Sequence, residues 1–336
     1  MAYRYDVYGV GNAIVDTEVA VEDAFLAGHS LDKGIMTLVS AETQAGLLES
    51  LQGHVRHGSA GGSAANTMTA VAQFGGAAFF TGKIGDDMHG ALYRESLAET
   101  GVDFDMQPTD EGPTGACVIL VTPDGERTMQ TSLGAASTLG PDDITFDALR
   151  SSRIVYVEGY LLSTPSCAKA AERAMSAAAD AGGVRVALSL SDPGIAGIFI
   201  DDFRRVTRRY VDILFCNEHE AEIYAGGGSR EERLRAVGAD APLVFMTCGA
   251  DGALVFDAGN ITRVPGHVVP VVDTTGAGDV FAAGALFGLT HGLDPTDAGK
   301  LGAFAAARVV TEFGARLPGP LHETLDTILS GAHPLG

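Results

Sequence analysis

Short apolar runs alternate with amphipathic stretches along most of the chain, and that rhythm sets the first expectation. The runs at 77–81, 153–157, 184–188, 212–216 and 243–247 are rich in Val, Ile, Leu, Phe and Ala, and 5–11 is a β-like run ending in glycines. Runs this short suit strands covered on both faces. Segments with helical spacing lie at 63–74, 87–100, 165–181, 201–210 and 218–237. An earlier helix is expected from Ser40, as N-cap, through about Leu51. Two more, at about 278–292 and 295–312, carry Gly and Ala on their faces. Strand then helix, repeated, predicts an α/β fold with a doubly wound, mostly parallel sheet flanked by helices.

Two regions break the rhythm. Residues 15–21 alternate strictly (VDTEVAV), and 35–39 are apolar. Residues 115–121 and 127–132 flank Pro123-Asp-Gly125, a hairpin signal. No helices separate these strands, so they are expected to pair as a small antiparallel β lid. The implied division assigns 1–14, 40–112 and 137–336 to a large α/β domain. It assigns 15–39 and 113–136 to the lid, built from two insertions.

Composition narrows the partners. The 336 residues are 46% hydrophobic, ample for a large core. The formal charge of −21 disfavours nucleic acid, which needs clustered Lys and Arg. The densest basic cluster, Arg204-Arg205 with Arg208-Arg209, reads as a solvated helix face. An acidic chain can still hold an anionic small ligand through backbone dipoles and a metal. None of the four cysteines forms a C-x-x-C pair, so zinc is not expected. No membrane-length apolar run and no signal-like start are seen, so a soluble, cytoplasmic protein without a membrane partner is expected.

The strongest chemical segment is Val272-Asp-Thr-Thr-Gly-Ala-Gly-Asp279-Val-Phe-Ala-Ala-Gly284. Gly276-Ala277-Gly278 is a small-residue turn whose amides can approach a ligand closely. Asp279 opens an apolar helix, where unpaired N–H groups and the helix dipole favour an anion. A carboxylate there can also take a proton from a hydroxyl nucleophile. Phosphoryl transfer needs both functions. The bland alternative is that Asp279 merely caps its helix. Upstream, Gly61-Gly62-Ser63-Ala-Ala-Asn66 places small residues before a helix, where hydroxyls can lie flat against backbone.

The two strings together, with Gly75 and Gly85-Asp86-Asp87-x-x-Gly90, resemble the paired signatures of the ribokinase-like (PfkB) carbohydrate and nucleoside kinase family. The resemblance runs from residue 5 to about 330. It implies a kinase with Asp279 as base and Gly276, Ala277 and Gly278 as anion hole. It also implies ATP and Mg²⁺. Asn217-Glu218-His219-Glu220 resembles the family's N-x-x-E motif, with Asn217 near the phosphates and Glu220 ordering hydrated Mg²⁺. Thr247-Cys248-Gly249-Ala-Asp-Gly252 resembles its T-x-G-x-x-G turn, so Thr247, Gly249 and Gly252 are expected at the nucleotide. Asp273 and Thr275 are candidate oxygen donors for a monovalent cation such as K⁺, with Thr275 counted on the nucleotide side.

Within that family the chain is most similar to adenosine kinases. Gly11-Asn12-Ala-Ile-Val-Asp16 matches their Asn and Asp pair, and the Asp accepts from a ribose diol. Substrate contacts are therefore expected from Asn12, Asp16, Gly61, Gly62, Ser63 and Asn66. Tyr160, in Gly159-Tyr160-Leu161, is expected to face a purine. Pro113-Thr-Gly-Ala-Cys117, Glu126-Arg-Thr-Met and Leu133-Gly-Ala-Ala136 resemble the nucleoside-kinase lid. Inosine, guanosine or a plain sugar stay open as substrates, as does a monomer or a homodimer joined through the lid. A dinucleotide enzyme is disfavoured, because Gly9-Val-Gly11 has Ile14 at the third glycine position. A P-loop is excluded, since Gly82-Lys83 is followed by Ile.

Overall fold

The computed structural model describes residues 3–54 and 56–330. Residues 1, 2, 55 and 331–336 of the expected large domain lie outside the described residues. Two sheets organise the chain. The larger has nine strands, in the order Asn260–Val264, Ala253–Asp257, Leu243–Thr247, Ile213–Asn217, Arg185–Ser189, Ser152–Val157, Tyr5–Val10, Ala78–Thr81 and Asp103–Phe104. All neighbours are parallel except for the hairpin at one edge, which runs antiparallel to its neighbour and within itself. Strand residues alternate between two apolar cores, one on each face. Val7, Ile154 and Tyr156 enter the first, and Tyr8, Val155 and Val157 the second. Burial on both faces is why these strands read as continuous apolar runs.

Helices Ser63–Gln73, Ala277–Thr290 and Pro295–Val309 cover the first face, and Pro165–Ala181 and Ile200–Tyr210 the second. The small residues of the late helix pair serve close packing. A Cβ on Gly284 would sit 2.7 Å from the Gly302 amide nitrogen. Among the described residues no helix is long and apolar enough to cross a membrane.

The second sheet has five strands, ordered Met36–Leu38, Arg127–Ser132, Gly115–Val121, Ile14–Ala20 and Arg56–Gly61. It is mixed where a purely antiparallel lid was expected. Gly115–Val121 pairs antiparallel with Arg127–Ser132 but parallel with Ile14–Ala20. Ile14–Ala20 in turn pairs antiparallel with Arg56–Gly61. That last strand corrects the expected division, which gave 56–61 to the body. Its sequence, RHGSAG, lacks the apolar alternation that marks a strand, and its partner supplies the ladder instead. Helix Ala41–Ser50 also packs on this sheet. Ser40 caps it by accepting from the Thr43 amide. Gln44 Nε2 donates to the carbonyls of Ala116 and Gln130, while Leu47 and Leu51 join Val19, Val118 and Leu120. One face of the lid is thus covered by the chain's own helix, and the other overlies the body.

Two further differences are local. The expected helix over 218–237 is two helices, Glu218–Ala225 and Arg230–Gly238. Gly226 ends the first in the left-handed region, at φ 81°, as a C-cap glycine does. The edge hairpin at 253–264 was not expected, although Ala258-Gly259 is a two-residue turn between alternating segments.

Candidate active site

A cavity of about 630 Å³ lies between the lid and the carboxyl ends of the parallel strands. Open α/β sheets bind ligands at that edge. Every expected site residue except Gly61 and Asp273 lines it.

The turn before helix Ala277–Thr290 is built from Asp273, which is fully buried (0% exposed). Its Oδ1 accepts from the Thr275 amide (2.9 Å) and hydroxyl (2.6 Å), and its Oδ2 from the Gly314 amide (3.0 Å). The carboxylate thereby ties the turn to the segment after the last long helix. Gly276 then takes φ 74°, and a Cβ there would lie 2.7 Å from Ala315 Cα, so glycine is required. Gly276 stands at the N-cap without a side-chain cap bond. Ala277 closes the turn with a long bond from its amide to Thr274 O, 3.3 Å. The amides of Gly276, Gly278 and Asp279 have no partner among the described residues.

Asp279 does not cap its own helix. Its Oδ1 accepts from Ser63 Oγ (2.7 Å) and its Oδ2 from Asn66 Nδ2 (3.2 Å). Burial pushes its pKa up to about 6, against the opposing effect of those two hydrogen bonds. A carboxyl so placed is ionised at neutral pH and close enough to neutrality to take a proton.

The opposite wall is polar and acidic. Asp16, 5% exposed, has its pKa pushed up to about 7, by burial and then by the Asp279 charge. Gly61 sits behind it: a Cβ would run into the Asp16 carboxylate, and the Gly61 carbonyl accepts from Tyr93 Oη (2.9 Å). Gly62, at φ 90°, starts the helix that carries Ser63 and Asn66. Asn12 and Asn66 are both buried. Each has an amide oxygen without a hydrogen-bond partner among the described residues. Farther out the cavity turns apolar. Tyr160 lines it with Met36, Leu38 and Met129 of the lid, and its hydroxyl donates to Ser191 O (3.2 Å).

At the far end, Asn217 and Glu220 form a reciprocal capping box. Asn217 Oδ1 accepts from the amides of His219 (2.9 Å) and Glu220 (2.8 Å). Glu220 accepts from the Asn217 amide (2.8 Å) and Nδ2 (2.9 Å). Burial pushes the Glu220 pKa up to about 7. Thr247 ends its strand beside this cap. Gly249 (φ 56°) and Gly252 (φ 90°) form the tight turn that follows. Arg230 holds the two turns together, donating to Glu218 Oε2 (2.7 Å) and Asp251 Oδ2 (2.6 Å).

Residues 30–321 match the model of the pfkB family of carbohydrate kinases. The chain belongs to this family. Among solved structures, the adenosine kinase from Sinorhizobium meliloti is similar at a TM-score of 0.92 and 37% identity, over 96% of this chain and 99% of that one. A probable sugar kinase from Rhizobium etli CFN 42 is similar at 0.93 and 35% identity, over 98% and 100%. The adenosine kinase of Saccharomyces cerevisiae is 28% identical over 332 residues, 92% of this chain and 96% of that protein. The chain is therefore an ATP-using phosphotransferase of the nucleoside and sugar kinase kind, and its large parallel sheet with a smaller mixed sheet is ribokinase-like.

Two residues of this kinase's cavity escaped the sequence reading. Arg127, on the lid, brings a positive charge that acts on Asp16, Glu18 and Asp279. It lies inside Glu126-Arg-Thr-Met, which marked the lid without suggesting a site. Glu158 is 1% exposed and follows strand Ser152–Val157. A charged residue at the carboxyl end of an apolar strand was the available signal.

Proposed function

We propose that this kinase transfers the γ-phosphoryl group of ATP to the 5′-hydroxyl of a purine nucleoside, adenosine first among them. One observation carries the reading: the cavity joins an acceptor-rich polar floor to an apolar wall. Asp16 and the amide oxygens of Asn12 and Asn66, unpartnered among the described residues, suit hydroxyls that donate. Tyr160, Met36, Leu38 and Met129 suit a flat base. A plain sugar would leave that wall uncovered. The names of the adenosine kinases among the relatives point the same way. The probable sugar kinase from Rhizobium etli favours a second reading, a sugar kinase of the ribokinase or fructokinase type.

The nucleoside enters under the lid with its diol on Asp16 and its 5′-hydroxyl at Asp279. Ser63 and Asn66 hold the carboxylate toward that hydroxyl. Asp279 takes the proton as the 5′-oxygen attacks the γ-phosphorus and the bond to the ADP oxygen breaks. Negative charge on the moving phosphoryl group is met by the Gly276 and Gly278 amides and the helix dipole. Arg127 adds a cation from the lid, whose closure excludes water.

Magnesium would sit beside Asn217 and Glu220 and neutralise phosphate charge. Glu220 has two acceptor positions beyond its capping bonds, which fits contact through water. Among the described residues no three His, Cys, Asp or Glu side chains group to hold a metal directly. Asp273 already accepts three hydrogen bonds, two from Thr275 and one from Gly314, which leaves its side chain a single acceptor position for a cation such as K⁺.

The test is ADP release and product identity with MgATP and adenosine, inosine, guanosine, cytidine, ribose or fructose. Adenosine is expected to give the highest kcat/KM and a 5′-phosphate. Preference for ribose or fructose over all nucleosides would contradict the reading.

A further inference from the structure

Glu158 has its carboxylate buried in the floor of the cavity, and the protein occupies both of its oxygens. Oε1 accepts from the Asn12 amide (2.8 Å) and from Asn12 Nδ2 (2.8 Å). Oε2 accepts from the Ala64 amide (2.8 Å), in the first turn of the helix carrying Ser63 and Asn66. Gly11 is glycine for the same reason, since a Cβ there would crowd Glu158 Oε2 and lie 2.6 Å from Ala64 Cβ.

An amide side chain is nearly symmetric in shape, so neighbours decide which end faces the ligand. A carboxylate only accepts, so it draws the NH₂ end of Asn12 toward itself. The Asn12 oxygen must then point away, and it is buried without a partner among the described residues. A buried acceptor left unpaired is destabilising, and a substrate hydroxyl can recover that cost. Asn66 is polarised in the same sense by Asp279, through Nδ2.

We propose that Glu158 is a positioning residue that fixes the Asn12 amide with its oxygen toward the substrate, so that Asn12 recognises one substrate hydroxyl as a donor. Glu158 does not touch the substrate itself. This rests on the nucleoside reading above for the identity of the ligand.

The test measures dissociation constants for adenosine and for 2′-, 3′- and 5′-deoxyadenosine, with wild type, E158Q, N12A and the double variant. Gln offers one acceptor end where the Asn12 and Ala64 donors need two, so the amide loses its fixed sense. Wild type is expected to bind one deoxynucleoside about tenfold more weakly than adenosine because Asn12 loses its hydroxyl. E158Q should bind adenosine about tenfold more weakly and bind that deoxynucleoside within about twofold of wild type. N12A should abolish the same discrimination, and E158Q should add little on top of it. Equal weakening of all four ligands by E158Q, or none, overturns the proposal, as does full additivity of the two changes. Should E158Q fail to fold, N12A alone decides: unchanged discrimination at every hydroxyl overturns it. Wild type that binds no nucleoside refutes the substrate reading instead. The same cycle on ribose and its 2-, 3- and 5-deoxy forms then tests Glu158, and failure to bind these as well ends the proposal.

Discussion

Two helices begin at the cavity, each with a carboxylate in its first turn, and they use it in opposite ways. At Glu218–Ala225 the helix satisfies itself: Asn217 accepts from the first amides and Glu220 returns to Asn217. At Ala277–Thr290 the N-cap is Gly276, with no side chain to give. Asp279 turns outward to Ser63 and Asn66, leaving the Gly276 and Gly278 amides without a partner among the described residues. The first helix start is finished as a structural unit. The second is left incomplete, at a cost in stability, and is open to an anion, as the proposed reading requires. A sequence-level rule that reads a first-turn acid as a cap is right for one and wrong for the other.

That contrast is broken most forcefully at Asp279. D279N should lower kcat by about a thousandfold, within the range for loss of a general base, and leave nucleoside affinity within about threefold. Steady-state kinetics with calorimetry checks both. Next comes Gly276→Ala, which forces a side chain into a left-handed position against Ala315. Its kcat is expected to drop about a hundredfold, as for a lost oxyanion donor, with Tm also lowered.

The pH profile sharpens the comparison. As the proposed base, Asp279 has to be ionised, so kcat/KM should fall about tenfold per pH unit below about 6 and level off above it. A profile flat down to pH 5 would contradict that assignment. Stability carries the opposite sign. Burial raises Asp16, Glu158 and Asp279 above their ordinary values, to about 7, 7 and 6. Their neutral forms favour the fold, so their contribution is fully present below about pH 4 and is lost as pH rises through 6 to 7. Ligand-free Tm across pH 5 to 8 follows this component.

The smallest effect is expected at the self-satisfied helix. N217A removes a cap, costing about 1 kcal/mol of stability by denaturant titration. Its kcat should fall less than about tenfold. A loss rivalling that of D279N would erase the distinction between the two helix starts.

How far the sequence reads into this molecule depends on what each residue can signal alone. Strands covered on both faces announce themselves by composition, so Leu243–Thr247 and Gly115–Val121 are recovered to the residue. Arg56–Gly61 is not, because its pairing partner rather than its own side chains makes it a strand. The break between the two helices at 218–238 was written in Gly226-Gly227-Gly228 and overridden by helical spacing on either side. In the cavity, residues inside recognisable strings were legible. Glu158 and Arg127 were not, because they meet their partners only across the fold, Glu158 through Asn12 and Ala64, Arg127 through Asp16 and Asp279.

Amide hydrogen exchange, resolved to single residues, tests the open helix start most directly. Adding adenosine with a nonhydrolysable ATP analogue should slow exchange at Gly276, Gly278 and Asp279 by about tenfold or more. The amides of His219 and Glu220, already bonded to Asn217, should change little. Protection at 219 and 220 with none at 276 to 279 would mean that the phosphate is held elsewhere and that the turn at Asp279 is not the anion hole.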